Sequence, residues 1–274
     1  MRLPVGLSST WRHEPAWLDA LPELVSECAA EWSLTLEEPI DTPHSLVLPA
    51  GDVVLKLNAP SHQEADNEAD ALALWDGRGA VQLHARDDTR RALLLERCVP
   101  GTELWNCEVE ESEVVAELLP RLQIAVEGAH PFTLLADEAD RWSEAIPRQY
   151  AAAGQPYERS LFEAALDVYR TVDRSAAWLV NQDLHGGNIL RASREPWLVI
   201  DPKPLVGERE LEASGLLRNA KSVSRWLDAL ADIGLDRDRA RGWGIGHNLA
   251  WAWDERSGWL MQHVEEARRV LRAR

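Results

Sequence analysis

The pattern of apolar residues changes near residue 100, from one that includes several short strand-like runs to one that is mainly helical, and this change limits the possible folds more than any other feature. Before it, two short runs of strand-forming residues, Ser45–Pro49 and Val53–Leu57, flank the turn-forming Ala50-Gly51-Asp52. This pattern predicts a β-hairpin, because glycine and aspartate favour a tight turn between two strands. After Glu108 the apolar residues mostly follow helical spacing. Strands first and helices later are typical of an α+β fold.

Two helices and two further strands are predicted around this hairpin. The residues Glu14–Glu31 carry apolar side chains at helical spacing. A second helix is predicted from Ser61 to about Asp76, because Ser61 and Glu64 match the S-x-x-E capping box. Two more strand candidates follow that helix: Ala80–Ala85 and Arg91–Arg97.

The stretch Val99-Pro100-Gly101-Thr102 interrupts the pattern and predicts a boundary between two lobes. Residues 1–98 are predicted to form a small β-rich N-terminal lobe, and residues 99–274 a larger, mainly helical C-terminal lobe. Two short β runs, Ile189–Ala192 and Trp197–Ile200, interrupt the helical pattern of the second lobe. The predicted architecture is therefore bilobal and α+β.

The segment from Val180 to Leu190 places several reactive or metal-binding residue types in a short glycine-containing loop. It reads Val-Asn-Gln-Asp-Leu-His-Gly-Gly-Asn-Ile-Leu, which gives Asp183, His185 and Asn188. A further carboxylate, Asp201, ends the apolar run that follows, and a proline stops that run immediately after it.

Transfer of a phosphoryl group requires residues of these types. A carboxylate must orient and deprotonate the attacking hydroxyl, and oxygen ligands must hold Mg²⁺ against the phosphates. Asp183 fits the catalytic base, while Asn188 and Asp201 fit the two metal ligands. The pattern therefore predicts a kinase that uses a nucleoside triphosphate and Mg²⁺.

Two other interpretations of this segment are possible. An Asp-x-His sequence followed by glycines is often a polar turn with no catalytic role. A metal-dependent hydrolase would use Asp183, His185 and Asp201, but it would normally show further histidine or aspartate ligands with supporting partners. The other histidines of the chain are dispersed and form no visible cluster.

The N-terminal half offers an independent indication of phosphate chemistry. Lys56 lies inside the apolar run Val53–Leu57, and Glu68 shares the predicted buried face of the next helix. A carboxylate on a buried face is costly unless it is paired, and Lys56 is the expected partner. A Lys–Glu pair of this kind holds triphosphate oxygens in kinases. The alternatives are an edge-strand lysine and a carboxylate on the helix surface.

Composition excludes several classes of partner and places the chain in a reducing compartment. The net charge of −17 disfavours nucleic acid, which requires clustered basic residues. No apolar run approaches about 18 residues, so no membrane span is predicted. The three cysteines are scattered and odd in number, which disfavours disulfides or a zinc site and suits the cytoplasm.

The sequence resembles the aminoglycoside phosphotransferase family, in particular its branch of streptomycin 6-kinases and hydroxyurea phosphotransferases. The resemblance extends from about Leu34 to Trp253. Its specific motifs are Asp183-Leu184-His185 with Asn188, the run from Trp197 to Lys203, Gly207-Glu208-Arg209-Glu210, Leu216-Leu217-Arg218-Asn219, and Leu93-Leu94-Leu95-Glu96-Arg97 followed by Pro100-Gly101.

The resemblance implies a protein-kinase-like fold with ATP or GTP bound between the lobes. It implies that the segment from Glu96 to Cys98 contacts the base, and that Lys56 and Glu68 manage the phosphates. It also implies that Asp183 is the base, that Asn188 and Asp201 bind Mg²⁺, and that His185 braces the loop without reacting.

The sequence departs from the family pattern in three places. Leu211-Glu212 stands where the family commonly has Phe/Tyr-Asp after Asp-Pro-Lys, and whether Glu212 replaces that aspartate is left open. Asn181-Gln182 stands before the catalytic aspartate, where the family often has His-Gly. The segment that should cover the phosphates, Asp41–Ser45, contains no glycine, so its backbone amides and the Ser45 hydroxyl are the candidate phosphate contacts. This departure motivates a second hypothesis, a nucleotide-binding pseudokinase or scaffold with little turnover.

The acceptor is expected to bind the helical lobe near Asp183. Trp251, Asp254 and Glu255 combine an aromatic face with carboxylates, which suits a cationic sugar. The alternative is a core tryptophan beside a solvated helix end. The predicted acceptor is a hydroxyl of an aminoglycoside, aminocyclitol or amino sugar, and a metabolite unrelated to antibiotics is the alternative, because one fold serves many acceptors.

Overall fold

The structure is a computed structural model, and it describes residues 2–218, 220–254 and 258–273. The chain divides into two compact units. The first unit contains the chain up to Thr102 together with Leu190–Asp201. The second unit contains Glu103–Ile189 and the chain from Pro202 onward. Among the described residues, no helix has the length and apolar character needed to span a bilayer.

Helices and strands both contribute to the fold, as the α+β prediction requires. The α-helices of the described residues are α1 (Val5–Thr10), α2 (Pro15–Glu31), α3 (Glu68–Trp75), α4 (Glu111–Leu122), α5 (Leu135–Ala152), α6 (Arg159–Arg170), α7 (Ala213–Leu217), α8 (Val223–Asp232), α9 (Arg237–Ala250) and α10 (Met261–Arg272). The β-strands are β1 (Ser45–Ala50), β2 (Val53–Asn58), β3 (Leu83–Asp87), β4 (Ala92–Glu96), β5 (Trp178–Asn181), β6 (Ile189–Arg191), β7 (Trp197–Val199), β8 (Pro204–Gly207), β9 (Trp253–Asp254) and β10 (Gly258–Trp259).

A four-stranded antiparallel sheet with the order β1-β2-β4-β3 forms the centre of the first unit. The predicted hairpin is present, since β1 and β2 pair in a register that sets Val47 opposite Lys56. Strand β4 pairs with the other edge of β2 and sets Leu93 opposite Lys56. Lys56 is therefore on an interior strand, and the edge-strand interpretation of this lysine is wrong.

Helices α1 and α2 cover one face of this sheet with apolar side chains. The predicted helix Glu14–Glu31 is confirmed, beginning one residue later than expected. The buried cluster beneath it draws side chains from both helices and from the sheet: Leu7, Trp11, Trp17, Leu21, Val25, Cys28, Leu46, Leu48, Leu55 and Leu57. Burial of apolar surface at about 25 cal/mol per Å² makes this cluster the main stabilising element of the N-terminal sheet.

The predicted capping box at Ser61 is wrong. The Ser61 hydroxyl donates a hydrogen bond to Glu14, and a single 3₁₀ turn covers Gln63–Ala65. Helix α3 begins only at Glu68 and ends at Trp75, before Asp76 in a left-handed conformation. The serine is bound to a distant helix, so a partner 47 residues away in sequence replaces the local cap.

The strand predictions of the first unit hold with shifted bounds. The predicted strand Ala80–Ala85 is displaced to Leu83–Asp87, and Ala80 instead forms a lone parallel bridge with Val199. The two short β runs of the second half are strands β6 and β7, which pair with each other. This hairpin, apart from its first residue, belongs to the first unit, and it delivers Asp201 there.

Helix α9 lies at the centre of the second unit, where it packs against α6, α7, α8 and α10. Its Trp243 is fully buried, and the indole donates a hydrogen bond of 2.7 Å to Glu208. Beside these helices, β5 and β8 form an antiparallel pair that sets Asn181 opposite Pro204. The sequence analysis missed this pair as strands, because runs of four residues give no measurable period.

Gly215 on α7 contacts the loop that carries Asp183 so closely that no side chain fits. A Cβ atom at this position would lie 2.2 Å from the carbonyl oxygen of Leu184. We expect Gly215→Ala to lower the free energy of unfolding by about 1–3 kcal/mol, because backbone rather than a flexible side chain must move. Urea unfolding measured by circular dichroism tests this value.

Gly242→Ala on α9 is the matched control for this substitution. There a Cβ would approach only the Val168 methyl group, at 3.1 Å, and a methyl group can shift. Alanine also favours a helix over glycine. Equal destabilisation by the two substitutions would show that the contact with Leu184 does not fix the loop.

Candidate active site

The predicted site residues fall into two groups, one in each unit. In the first unit, the Lys56 ammonium lies 2.7 Å from Glu68 Oε1, 2.8 Å from Glu68 Oε2 and 2.5 Å from Asp201 Oδ1. The predicted Lys56–Glu68 ion pair is therefore present, and Asp201 is a second partner. Lys56 is 6% exposed and Glu68 is fully buried, whereas the Asp201 side chain is 37% exposed.

Lys56 is charged in this environment. Burial alone would lower its pKa, but the carboxylates of Asp201 and Glu68 outweigh burial and raise it. The nearby His62 adds no positive charge at neutral pH, because burial lowers its pKa to about 4. One ammonium therefore faces two carboxyl groups, and burial raises the pKa of Glu68 despite the opposing effect of Lys56.

A chain of hydrogen bonds extends from Glu68 into the sheet. Asn58 donates to Glu68 Oε2 at 3.4 Å, and the buried Ser45 hydroxyl donates to Asn58 Oδ1 at 2.6 Å. The predicted phosphate-covering segment ends at Ser45, where Thr42 Oγ1 donates to the Ser45 carbonyl. The Ser45 hydroxyl proton is thus used within the protein, and a contact from this residue to phosphate stays a prediction.

The predicted base-binding segment begins at the end of β4. The Glu96 carboxylate receives two hydrogen bonds from Arg194, at 2.8 and 2.9 Å, and one from the backbone N–H of Gln82. Burial raises the pKa of the Cys98 thiol to about 12, so it is neutral. Among the described residues, the Cys98 N–H has no recorded backbone acceptor, which is compatible with the predicted contact to a base.

Asp183 in the second unit lies among cations. Its carboxylate is 3.0 Å from the Lys203 ammonium and 3.5 Å from the Arg218 guanidinium, and His185 Nε2 is 3.7 Å away. Asp183 is 7% exposed. A buried carboxylate needs such partners, since an unpaired charge in the interior is strongly destabilising.

Two asparagines fix the loop around Asp183. The buried Asn181 Oδ1 accepts hydrogen bonds from the backbone N–H groups of Asp183, at 3.1 Å, and Lys203, at 3.0 Å. The Asn188 amide nitrogen donates to the Asp183 carbonyl at 3.1 Å. Asn181, one of the departures from the family pattern, therefore joins the strand ends on both sides of the loop.

The two glycines of the loop are explained by Trp105. Its ring stacks on His185 with a centroid separation of 4.7 Å and an interplanar angle of 10°. A Cβ atom would lie 2.3 Å from this ring at Gly186 and 2.8 Å from it at Gly187. His185 Nδ1 also accepts a hydrogen bond from the Gly187 N–H. These contacts agree with the predicted role of His185 as a brace.

The predicted acceptor residues lie beyond the end of α9. Lys203 and Arg218 both lie over the Trp251 ring, at 4.8 and 4.9 Å from its centroid. Asp254 is in β9, and Glu255 lies outside the described residues. Binding of the acceptor by these residues stays a prediction.

The donor atoms suit Mg²⁺ better than a transition metal. In the second unit, Asn188 uses its amide nitrogen to bind Asp183, and its amide oxygen stays a predicted metal ligand. In the first unit, the Asp201 carboxylate accepts from Lys56 and likewise stays a predicted metal ligand. Hard oxygen donors of this kind suit Mg²⁺. Within the described residues, no group of three or more histidine, cysteine, aspartate or glutamate side chains could hold a metal ion.

Comparison with known families identifies the kind of protein that carries this site. Residues 32–256 match the model of the family described as aminoglycoside/hydroxyurea antibiotic resistance kinase. The chain belongs to this family. It is therefore an ATP-dependent phosphotransferase, as the sequence analysis predicts, and the resemblance to the branch of streptomycin 6-kinases and hydroxyurea phosphotransferases is confirmed.

Curated relatives and solved structures extend this assignment. The chain is 35% identical to a streptomycin 6-kinase of Streptomyces glaucescens, over 89% of this chain and 86% of that one. It is 34% identical to a hydroxyurea phosphotransferase of Kitasatospora aureofaciens, over 86% of this chain and 74% of that one. The fold is similar to that of a choline kinase from Streptococcus pneumoniae, with a TM-score of 0.64, 12% identity and coverage of 92% and 97%. The predicted protein-kinase-like fold is confirmed.

Three residues of the site were not assigned a role by the sequence analysis: Arg218, Asn181 and Trp105. For Lys203, which lies next to Asp201 in the sequence, two roles were open, stabilisation of phosphate charge or pairing with a nearby acid, and the structure pairs it with Asp183 at 3.0 Å. A signal for Lys203 was present in the composition. The chain has 29 basic residues, of which only Lys56, Lys203 and Lys221 are lysines. Two of the three lysines belong to the two groups of site residues, where each ammonium lies beside a carboxyl group.

The buried carboxyl group of Glu212 contacts the strand that leads into the Asp183 loop. It accepts hydrogen bonds from the backbone N–H of Asn181, at 3.2 Å, and from Gln123, at 2.9 Å. Burial raises its pKa from 4.5 to about 8, so the group is mainly protonated at neutral pH. The sequence analysis left open whether Glu212 replaces a family aspartate, and the structure places it in a supporting position.

We expect Glu212 to make the protein less stable as the pH rises. Its pKa is higher in the folded state than in the unfolded state, so its stabilising effect is complete below about pH 4.5 and is lost as the pH rises through about 8. Glu212→Gln keeps the shape but cannot ionise. We expect the free energy of unfolding of the variant, relative to that of the wild type, to increase by about 2 kcal/mol or more between pH 5 and pH 8.5. Urea unfolding at each pH measures this difference. A constant difference across this range would contradict the assignment.

Proposed function

We propose that the protein transfers the γ-phosphate of ATP to a hydroxyl group of an aminoglycoside, aminocyclitol or similar amino sugar, with Asp183 as the catalytic base. The observation that carries this proposal is the loop in which the Asn188 amide is tied to the Asp183 carbonyl. A base and a candidate metal ligand are thereby held in a fixed relation. Positioning of this kind supplies most of the catalysis in phosphoryl transfer.

In the proposed reaction, the acceptor hydroxyl donates a hydrogen bond to the Asp183 carboxylate. The acceptor oxygen forms a bond to the γ-phosphorus, the bond from that phosphorus to the β–γ bridging oxygen breaks, and ADP leaves. The hydroxyl proton passes to Asp183. Lys203 and Arg218 keep the carboxylate oriented, because each approaches one of its two oxygens.

The first unit supplies the groups proposed to bind the nucleotide. Lys56, held by Glu68 and Asp201, offers an ammonium to the phosphate oxygens. The segment from Glu96 to Cys98 is proposed to contact the base through its backbone. Asn188 and Asp201 would hold Mg²⁺, which, when bound, neutralises charge on the phosphates.

The names of the relatives suggest the class of acceptor. They are streptomycin 6-kinases and a hydroxyurea phosphotransferase, so streptomycin and hydroxyurea are the first candidates to test as acceptors. The three cysteines are free thiols, which supports a reducing cytoplasm as the place of the reaction.

Replacement of the base tests the chemical role of Asp183. We expect Asp183→Asn to lower kcat by about 10²–10⁴-fold, because the amide cannot accept the hydroxyl proton. The Kd for ATP should stay unchanged in isothermal titration calorimetry. Asp228→Asn is the matched control, since Asp228 is an exposed residue of α8 that pairs with Arg237. Full activity of the Asp183 variant would remove this residue as the base.

A panel of acceptors tests the substrate class. We expect Mg²⁺-dependent ADP release and a mass gain of one phosphoryl group with streptomycin or another aminoglycoside, and the panel should include free amino sugars and hydroxyurea. Repeating the assay with GTP determines the nucleotide preference. The Asp183→Asn protein serves as the blank. ATP binding without transfer to any acceptor would favour the nucleotide-binding scaffold, the second hypothesis that the glycine-free phosphate segment supports.

A further inference from the structure

Trp251 lies where two cations of the second unit meet. It follows α9 directly, and its backbone N–H donates to the His247 carbonyl at 3.0 Å. The Lys203 ammonium is 4.8 Å from the centroid of its ring, and the Arg218 guanidinium carbon is 4.9 Å from it. Both separations are within the range of a cation–π interaction.

The same two cations reach Asp183. Lys203 contacts Oδ2 at 3.0 Å, and Arg218 approaches Oδ1 at 3.5 Å. Trp251, two cations and one carboxylate thus form a continuous set of contacts, in which each cation joins the indole to a different oxygen of Asp183.

We propose that Trp251 is a positioning residue that holds Lys203 and Arg218 against the two oxygens of the Asp183 carboxylate. This inference rests on the proposed function, in which Asp183 is the base. It assigns the indole to the protein's own cations and gives it a role that is different from contact with the acceptor.

The surroundings of the Arg218 guanidinium explain how the Trp251 ring stabilises and orients it. Its Nε and Nη2 atoms are buried and have no hydrogen-bond partner among the described residues. In the part of the chain that the structure describes, only Nη1 approaches a partner, Asp183, so hydrogen bonding constrains the guanidinium plane at one nitrogen alone. Burial lowers the pKa of Arg218 despite the opposing effects of Asp183 and Glu266. A π-face offsets part of the lost hydration of a cation, and stacking on it restricts the guanidinium plane.

Two like charges beside one carboxylate also repel each other. The electron-rich face of Trp251 attracts both and so allows them to share one partner. The neighbouring His247, with its ring centroid 4.5 Å from that of Trp251, adds no third charge. Burial holds its pKa well below the usual range, and Nε2 lies 3.3 Å from Gln182 Oε1.

The scarcity of lysine makes this arrangement directly observable. The three lysines of the chain give three signals after labelling with [ε-¹³C]lysine. Ring current should move the ε-CH₂ protons of Lys203 upfield of those of Lys221, whose side chain is exposed. Single replacement of each lysine by arginine assigns the signals.

We expect Trp251→Leu to abolish the upfield shift of Lys203 and to leave the signals of Lys56 and Lys221 unchanged. Trp251→Phe keeps a π-face and should retain a smaller shift. In kinetics, Trp251→Leu should lower kcat about tenfold, a cation–π contribution, with the KM for ATP unchanged, and Trp251→Phe should recover most of that loss.

Trp178→Leu is the matched control, because Arg209 lies over the Trp178 ring, at 5.1 Å, without a recorded contact to Asp183. Its kcat should stay within twofold of the wild type. Wild-type Lys203 protons that resonate with those of Lys221 would overturn the inference, as would equal losses of kcat in Trp251→Phe and Trp251→Leu. The NMR measurement requires no acceptor, so failure to phosphorylate any acceptor would refute the proposed function alone.

Discussion

The ammonium of Lys56 is the charge around which the first unit is organised. It is almost fully buried on an interior strand and is bound by the carboxylates of Glu68 and Asp201. Removing one partner of a buried ion pair typically costs about 3–5 kcal/mol, because the remaining charge is left uncompensated. The position of α3 and the end of the β6–β7 hairpin are thereby coupled to β2. The buried lysine thus connects its own strand to the next helix along the chain and to a hairpin that is 145 residues away in sequence.

In the second unit, the buried charged group is a carboxylate. Asp183 is held by two cations and by backbone hydrogen bonds to asparagine side chains. The supporting residues are themselves constrained: Gly215 allows α7 to approach the loop, and Trp105 fills the space that Gly186 and Gly187 leave open. The Asp183 carboxylate is therefore surrounded by residues that match it in shape as well as in charge. Precise positioning in catalysis requires such an arrangement.

The sequence predicted those parts of the fold and site that depend on local pattern. The β1–β2 hairpin and α2 follow from turn residues and apolar spacing, and the Lys56–Glu68 pair follows from two charges on faces that must be buried. The capping box at Ser61 was wrong, because a distant carboxylate, that of Glu14, takes up the serine. Lys203, Arg218 and Trp251 come together only through contacts between separate segments, and no spacing in the sequence encodes their meeting. The only indication from composition that Lys203 belongs to the site is the rarity of lysine in this chain.

The two groups of site residues differ in which formal charge predominates among their ion pairs, and this contrast suits the chemistry that we propose for them. Lys56 is outnumbered by the two carboxylates of Glu68 and Asp201, whereas the Asp183 carboxylate is outnumbered by Lys203 and Arg218. A divalent cation is favoured where negative charge is in excess, and an incoming phosphoryl group is favoured where positive charge is in excess. A chain with a net charge of −17 would repel an anionic nucleotide if its acidic residues were spread evenly through both groups. The local excess of cations around Asp183 removes that conflict at the carboxylate where the acceptor hydroxyl is proposed to react.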